Sequence, residues 1–284
     1  MAWFLLDDDL LDPLLRFLGP REAGCVSFTE HLIEEGRPCV PDGSNAAVHV
    51  EVGENAEVVA AVMQRPGGVF HPVLSEGRQE FTAGLLARIR HHSRRVYSVM
   101  GRTADVLALE ELFRRAPLQA VDYVHMVQHD PPQPVPHPRI PDELRIRTAT
   151  PLDTEHLFDI QRQYEIEEVL LPGNAFNAAA SRQHLRETLR RQIVILAEIA
   201  GVAVAKAGTN ARGLFFDQIG GVFTEPRLRS RGISTVLMTR LLSELARQRK
   251  SASLFVKHEN QPALRLYRNL GFGEEGGFRI SYYR

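Results

Sequence analysis

One stretch of the chain, VFTEPRLRSRGIST (222–235), constrains the fold more than any other. Its apolar start continues a predicted strand that begins at Ile219, and this strand runs into a basic loop that contains Pro226. Gly232 then opens a long amphipathic helix that we predict to extend to Arg249. The free N–H groups and the dipole of a helix start attract phosphate, so the stretch indicates an α/β chain with an anion-binding turn.

The remainder of the second half alternates between strands and helices. The apolar periodicity, with its Gly and Pro breaks, predicts the order β-α-α-β-β-β-α-β-α-β. In that order we expect a helix from Leu152 to about Leu171, a helix capped by Ser181, and a last strand at 278–283. In the first half, two helices are predicted within 9–36. Residues 46–128 then read β-β-β-α-β-α-β, which is the order predicted for 193–283.

A proline-rich segment separates the two halves. DPPQPVPHPRIPD (130–142) has six prolines in thirteen residues, so it cannot join a sheet and is predicted to be an extended spacer. We therefore predict an N-terminal lobe at 1–129, a linker at 130–142 and a C-terminal domain at 143–284.

Composition indicates a globular protein and excludes several classes. The chain has 284 residues, of which 44% are hydrophobic and 24% charged, and its formal net charge of −1 argues against a general nucleic-acid binder. The N-terminus lacks the basic start of a signal peptide, and no apolar run is long enough to span a membrane. Cys25 and Cys39 read as reduced thiols, and the histidines have no partner acids at ligand spacing, so no metal is expected. We expect a cytoplasmic protein that binds neither nucleic acid nor membrane.

Two motifs in the second half resemble those of the GNAT superfamily of N-acetyltransferases. RSRGIS (229–234) is similar to the superfamily's pyrophosphate loop, (Arg/Gln)-x-x-Gly-x-(Gly/Ala), with serine at the last position. NQPALRLYRNLGF (260–272) resembles its Asn-x-x-Ala-x-x-x-Tyr-x-x-x-Gly-Phe signature. The resemblance covers about 143–284 and implies a mixed-sheet α/β (α+β) fold. The element order of the first half suggests a degenerate GNAT-like lobe, in which LSEGRQEF (74–81) stands where the second half has its phosphate loop.

The resemblance implies where acetyl-CoA, the cosubstrate, would bind. The pantetheine would pair with the splayed central strand, and a backbone N–H near Phe223 would polarise the thioester carbonyl. The pyrophosphate would lie on the loop and helix start, with further contacts from the second motif. The residues implied as cofactor contacts are Val222, Phe223, Thr224, Arg229, Ser230, Arg231, Gly232, Ile233, Ser234, Thr235, Asn260, Ala263 and Tyr267. Asn260 could equally be a helix cap and Tyr267 a core residue.

The catalytic groups are less completely specified. The resemblance implies that Tyr267 protonates the departing CoA thiolate, since an ordinary tyrosine holds its proton at neutral pH. Glu165 and Glu168 share a helix face and could hold a cationic amine, although a solvated acidic helix end explains them as well. Other candidates for the general base are Asp217 on the central strand and Lys257 with its neighbour His258.

The resemblance implies an acetyl-CoA-dependent N-acetyltransferase of two GNAT-like lobes, in which a primary amine of a protein or small molecule attacks the thioester directly. The alternative is a non-catalytic acyl-CoA sensor or adaptor. Tyr267 favours the enzyme, and the lack of an obvious catalytic carboxylate on the central strand slightly favours the sensor. The sequence identifies neither the acceptor nor whether the protein is a monomer or a homodimer.

Overall fold

The structure is a computed structural model that describes residues 1–34, 36–42, 46–92, 95–129 and 140–283, without the side chains of 90–92. The predicted linker at 130–142 therefore lies outside the described residues except for its last three positions. In the described part, no helix is long and apolar enough to cross a membrane.

The first half contains a first strand and a short hairpin, β2 and β3, that the sequence did not predict, and its other elements follow the predicted order. Its elements are β1 (Ala2–Leu5), α1 (Asp8–Leu18), α2 (Val26–Thr29), β2 (Ile33–Glu34), β3 (Arg37–Pro38), β4 (Ala47–Val52), β5 (Val58–Arg65), β6 (Val69–Leu74), α3 (Gly84–His92), β7 (Ser98–Arg102), α4 (Thr103–Phe113) and β8 (Gln119–Gln128). The second helix predicted within 9–36 is instead α2 flanked by two short 3-10 turns.

The second half also follows its predicted order. Its elements are β9 (Arg145–Thr148), α5 (Thr154–Tyr164), α6 (Ala178–Arg191), β10 (Val194–Ile199), β11 (Val202–Arg212), β12 (Phe216–Thr224), α7 (Ile233–Arg247), β13 (Ser251–Lys257), α8 (Gln261–Asn269) and β14 (Phe272–Tyr282).

The helix predicted at 152–171 is present as α5 with a short 3-10 turn before it and a π-helical turn, Glu165–Val169, after it. Two other predicted boundaries in the second half were wrong. Asn177, not Ser181, caps α6, because its side-chain oxygen accepts hydrogen bonds from the N–H groups of Ala179 and Ala180 at 3.1 and 3.0 Å. The last strand starts at Phe272, six residues before the predicted position, because its polar beginning (FGEEGG) lacks the apolar pattern of a buried strand.

The twelve longer strands form one mixed sheet in the order β1-β4-β5-β6-β7-β14-β8-β13-β12-β11-β10-β9. Strands at equal distances from the two ends of this order are equivalent, for example β6 and β12, or β7 and β13. The two halves are therefore related by an approximate two-fold axis between β14 and β8. The last strand of each half lies inside the sheet of the other. β14 pairs with β7 and β8, while β8 pairs with β14 and β13. This arrangement confirms a two-lobed mixed α/β fold.

Helices cover both faces of the second half of the sheet. α7 and α8 pack on one face in a core that includes Leu237, Leu241 and Tyr267. On the opposite face, α5 and α6 bury Leu157, Leu185 and other side chains against β10, β11 and β12. The central strands are therefore enclosed, and they are open to a ligand only where neighbouring strands separate.

Candidate functional site

The strands β12 and β13 start as neighbours and then separate. They pair in parallel from Phe216 opposite Ser251 to Ile219 opposite Leu254, and no pairing follows although both strands continue. On the β13 side, the backbone of β12 is therefore not paired with that strand from Gly220 to Thr224. A strand with open backbone groups can hydrogen-bond an extended ligand as if it were an added strand.

A bulge in β12 accompanies this separation. Between the pairs Gly208–Gly220 and Lys206–Phe223, β11 has one residue where β12 has two, Gly221 and Val222. Gly221 has φ +62°, and a Cβ on it would lie 2.8 Å from the Nζ atom of Lys206. The left-handed backbone favours glycine at this position, and a Cβ there would also displace the end of the Lys206 side chain.

The basic loop ends at the first turn of α7, as predicted. Two residues in the left-handed region, Ser230 (φ +62°) and Gly232 (φ +83°), turn the chain so that α7 begins at Ile233. The first N–H groups of this 15-residue helix lack intrahelical partners and point towards the loop. Ser234 and Thr224 join the helix start to the end of β12 through a hydroxyl hydrogen bond of 2.8 Å. The loop can therefore hold an anion close to the open edge of β12.

The side chains expected to contact a cofactor differ in their positions. Arg229 donates to the backbone oxygen of Thr224 at 3.1 Å and pairs with Glu167 at 2.8 Å. Arg231 is exposed beside the helix start. The Ile233 side chain is buried in the core, so only its backbone could contact a ligand. Phe223 is also buried, with its ring 6.2 Å from that of Tyr164, and the contacts expected from Val222, Phe223 and Thr235 stay predictions.

The second motif forms α8, whose N-terminus is next to the separated strands. Asn260 caps the helix by accepting a hydrogen bond from the N–H of Ala263 at 3.2 Å. Tyr267 is buried on the helix, and its ring centroid is 5.9 Å from that of Phe272. Burial, with smaller effects from Tyr164 and Glu168, raises the pKa of Tyr267 above its usual value. The phenol therefore keeps its proton at neutral pH.

The predicted acids lie in the π-helical turn after α5, and each has a partner. Glu165 accepts hydrogen bonds from Gln161 at 2.7 Å and Ser181 at 2.9 Å. Glu168 pairs with Lys257 of β13 at 3.1 Å. Of the two, Glu168 acts electrostatically on Tyr267, so the structure brings these two candidates together.

Asp217 does not belong to this group. It is fully buried in the paired part of β12, where Arg212 donates to its carboxylate at 3.2 Å, and burial raises its pKa. His258 is in the turn before α8, and its backbone oxygen accepts a hydrogen bond from Gln261. Within the described residues, no group of three or more His, Cys, Asp or Glu side chains could hold a metal ion.

Three residues that the sequence reading missed contribute to the same region. Lys206 of β11 is buried, and its Nζ atom lies 4.5 Å from the ring centroid of Tyr164. Burial lowers the pKa of Lys206 to about 8 and raises that of Tyr164 to about 12. Tyr123 of β8 lies opposite Lys257, so the exchanged strand brings a phenol of the first half to this site. The only signal for Lys206 was a single lysine in the apolar run VAVAKAG.

The equivalent place in the first half is filled by its own side chains. β6 and β7 also pair in parallel, over only two residue pairs before they separate. There Arg102 donates to the backbone oxygen of Leu74 at 3.0 Å, and Asp105 hydrogen-bonds to the Leu74 backbone. These two side chains also pair with each other at 2.8 Å. The open backbone groups at the end of β6 are therefore satisfied within the chain.

The loop after β6 has also lost the geometry of a helix start. Gly77 has a left-handed φ of +77°, but α3 begins only at Gly84. The buried carboxylate of Glu51 pairs with Arg78 at 2.7 Å and accepts a hydrogen bond from Thr82 at 2.8 Å. Arg78 is therefore paired with a carboxylate of the protein itself and is not available to bind an external anion.

Comparisons with known proteins agree with this geometry. The sequence profile of the acetyltransferase (GNAT) family matches residues 155–272. No curated protein matches the chain. A Drosophila protein of known structure superposes with a TM-score of 0.67 at 14% identity, over 99% of this chain and 98% of that protein.

Two further solved structures have the same fold over nearly the whole chain. A tandem GNAT protein from the clavulanic acid biosynthesis pathway superposes with a TM-score of 0.56 at 13% identity, over 99% of this chain and 98% of its own. A GCN5-related N-acetyltransferase from Sphaerobacter thermophilus gives a TM-score of 0.51 at 17% identity, over 92% of both chains. The two-lobed arrangement is therefore shared with known structures.

Proposed function

We propose that the protein transfers an acetyl group from acetyl-CoA to a primary amine, because residues 155–272 match the acetyltransferase (GNAT) family profile. The observation that carries the proposal is the open edge of β12 beside the N-terminus of α7. An acyl-CoA has an extended pantetheine arm and a pyrophosphate, and these two features match an extended chain and an anion.

The binding roles follow from the parts of the site. The N–H groups at the start of α7 would hold the pyrophosphate, with Arg231 adding charge from the exposed side of the loop. The backbone of Gly220 to Thr224 would pair with the pantetheine arm. Domain 143–284 would thus bind the cosubstrate, while the lobe at 1–129 would complete the sheet and contribute Tyr123 to the acceptor side.

Direct attack by the amine needs two proton transfers at this site. The acceptor must lose a proton before it can act as a nucleophile, and the departing thiolate must gain one. Tyr267 would supply the second proton, because its raised pKa keeps the phenol protonated at neutral pH. Glu165 and Glu168 would contribute negative charge on the side from which a cationic amine approaches.

The alternative function, an acyl-CoA sensor without catalysis, differs from the enzyme in one measurable property. Both bind acetyl-CoA, but only the enzyme releases free CoA when an amine is added. Replacing Tyr267 with Phe should lower kcat by about 10²-fold or more while leaving acetyl-CoA affinity nearly unchanged. Tyr97→Phe, at an exposed tyrosine of the first half, is the control and should keep full activity. Binding without release of CoA on any amine would favour the sensor.

Cosubstrate binding has its own test in the basic loop. The double change Arg231→Ala and Gly232→Asp puts a carboxylate where a phosphate would lie, so calorimetric titration with acetyl-CoA should detect no binding. Gly77→Asp makes the same change at a left-handed glycine of the first half and should leave binding intact. If the double variant still binds acetyl-CoA, the assignment of the loop is refuted.

A further inference from the structure

The amine of Lys206 occupies an unusual place for a lysine. It lies on β11 opposite Phe223, and its Nζ atom is in contact distance of Gly221, the residue at which β12 bulges. Tyr164 covers it with its ring. No hydrogen bond joins Lys206 to another residue of the described part of the chain. The side chain is buried, and its amine faces the backbone segment proposed to hold the thioester.

The other titratable groups near this segment are less suited to taking a proton from the acceptor. The Glu165 carboxylate already accepts two hydrogen bonds, and the Glu168 carboxylate is paired with Lys257. Asp217 is held by Arg212 in the paired part of the sheet. Lys206 is the amine that remains next to Gly221.

We propose that Lys206 is a catalytic base, whose neutral amine takes the proton from the ammonium group of the acceptor. The assignment rests on the proposed acetyl transfer and adds the proton acceptor that the sequence did not identify. A lone lysine in the apolar run VAVAKAG gives no sign of this role, so the inference depends on the position of Lys206 in the structure.

The proton balance of this step is complete without a further reagent. The acceptor ammonium passes one proton to Lys206 and becomes a neutral amine. Its nitrogen then forms a bond to the acetyl carbon, and the bond from that carbon to the CoA sulfur breaks. The thiolate takes the proton of Tyr267, which is restored by the second proton lost from the nitrogen. Lys206 finally releases its proton to solvent, so one proton leaves for each acetyl group transferred.

The surroundings of Lys206 set the pH at which it can act. Tyr164 and Glu165 face it from α5 and the π-helical turn, and Glu165 is the charged group that favours its ammonium form. Burial outweighs this effect, so the pKa is about 8. A pKa about one unit above neutral leaves roughly a tenth of the amine unprotonated at pH 7. The rate should therefore rise with pH until that pKa is passed.

The test compares Lys206→Arg and Lys206→Met with the wild type, using the complete chain and saturating acetyl-CoA. CoA release is measured with a panel of alkylamines, ethylamine and spermidine among them, and with hydroxylamine, which is largely unprotonated at neutral pH. Arg keeps the positive charge but cannot give up its proton, and Met keeps the length without a charge. Lys250→Met, at a lysine that directly precedes β13 and donates to the backbone oxygen of Gly213, is the matched control.

Both Lys206 variants should lose about 10²-fold or more of kcat with alkylamines and less than about 10-fold with hydroxylamine. They should also lose the rise of kcat towards pH 8, while acetyl-CoA affinity stays within about threefold. Wild-type rates with Lys206→Arg, or equal losses with both kinds of amine, would overturn the assignment and leave acetyl transfer intact. So would a gain of one acetyl group on Lys206 itself, detected by peptide mass. Failure of the wild type with every amine overturns the acetyltransferase proposal, and this one with it.

Discussion

Replacing Lys206 with Met should make the protein more stable at neutral pH, which is unusual for a core substitution. Burial lowers the pKa of this lysine from 10.5 to about 8. At about 1.4 kcal/mol per pKa unit, this difference corresponds to about 3 kcal/mol. It is the free energy by which the charged amine destabilises the folded chain at pH 7. The net gain expected for Lys206→Met at pH 7 is therefore up to about 3 kcal/mol.

The sign of the pH dependence follows from the same pKa values. Between about pH 8 and 10.5 the unfolded chain binds more protons at this lysine than the folded chain does, so its cost to stability falls as pH rises. At about pH 9.5 the cost is only about 1 kcal/mol. The stability advantage of Lys206→Met should thus shrink by about 2 kcal/mol between pH 7 and 9.5.

Urea unfolding followed by far-UV circular dichroism at the two pH values measures both quantities. Lys206→Arg is the control, because a guanidinium stays charged at both pH values, so this variant should lose stability relative to the wild type as pH rises. A Lys206→Met protein that is less stable than the wild type at pH 7 would refute the reasoning. So would a stability difference that does not change with pH.

Three further predictions test the frame around the site. Thermal unfolding should show a loss of about 2 kcal/mol for Gly221→Ala, because alanine adds left-handed strain and displaces the buried Lys206 amine. The control Gly201→Ala, at an open turn, should lose only about 1 kcal/mol. Glu22→Gln should cost about 1–3 kcal/mol in urea unfolding, since this buried carboxylate accepts N–H hydrogen bonds from the second half, and Glu54→Gln on the surface should cost almost nothing. Residues 143–284 expressed alone should aggregate, because β13 and β14 then lack β8 between them and expose unpaired edges. Coexpression of residues 1–129 should restore a soluble complex. A folded monomer of 143–284 would contradict this prediction.

The order of elements could be predicted from the sequence because local patterns determine it. The strand, basic loop and helix at 219–249 are adjacent in the chain, and their apolar periodicity and Gly232 fix their types. The equal element orders of the two halves were visible for the same reason. The positions of the ends were harder to predict where a local signal was absent, as at the polar start of β14 and at the π-helical turn after α5.

The exchange of β8 and β14 could not be predicted in this way, because each of these strands could pair with the strands of its own half or with the equivalent strands of the other half. The apolar part of each strand can lie inside a sheet, and nothing in its sequence says which half supplies its neighbours. The same limit explains why Lys206 was missed. Its neighbours Tyr164 and Gly221 are brought to it by a helix and by a bulge, and neither is near it in the sequence.

The two halves show how few residues separate an open groove from a closed one on the same framework. In the first half, Arg102 and Asp105 satisfy the backbone of Leu74 where the strands part, and Glu51 takes the cation of the adjacent loop. In the second half, the separation of β12 from β13 and the start of α7 leave the same kinds of groups open. Because β8 lies between β13 and β14, the first half completes the sheet of the second and places Tyr123 opposite Lys257. The first half, whose own groove is closed, therefore contributes to the structure around the groove of the second half.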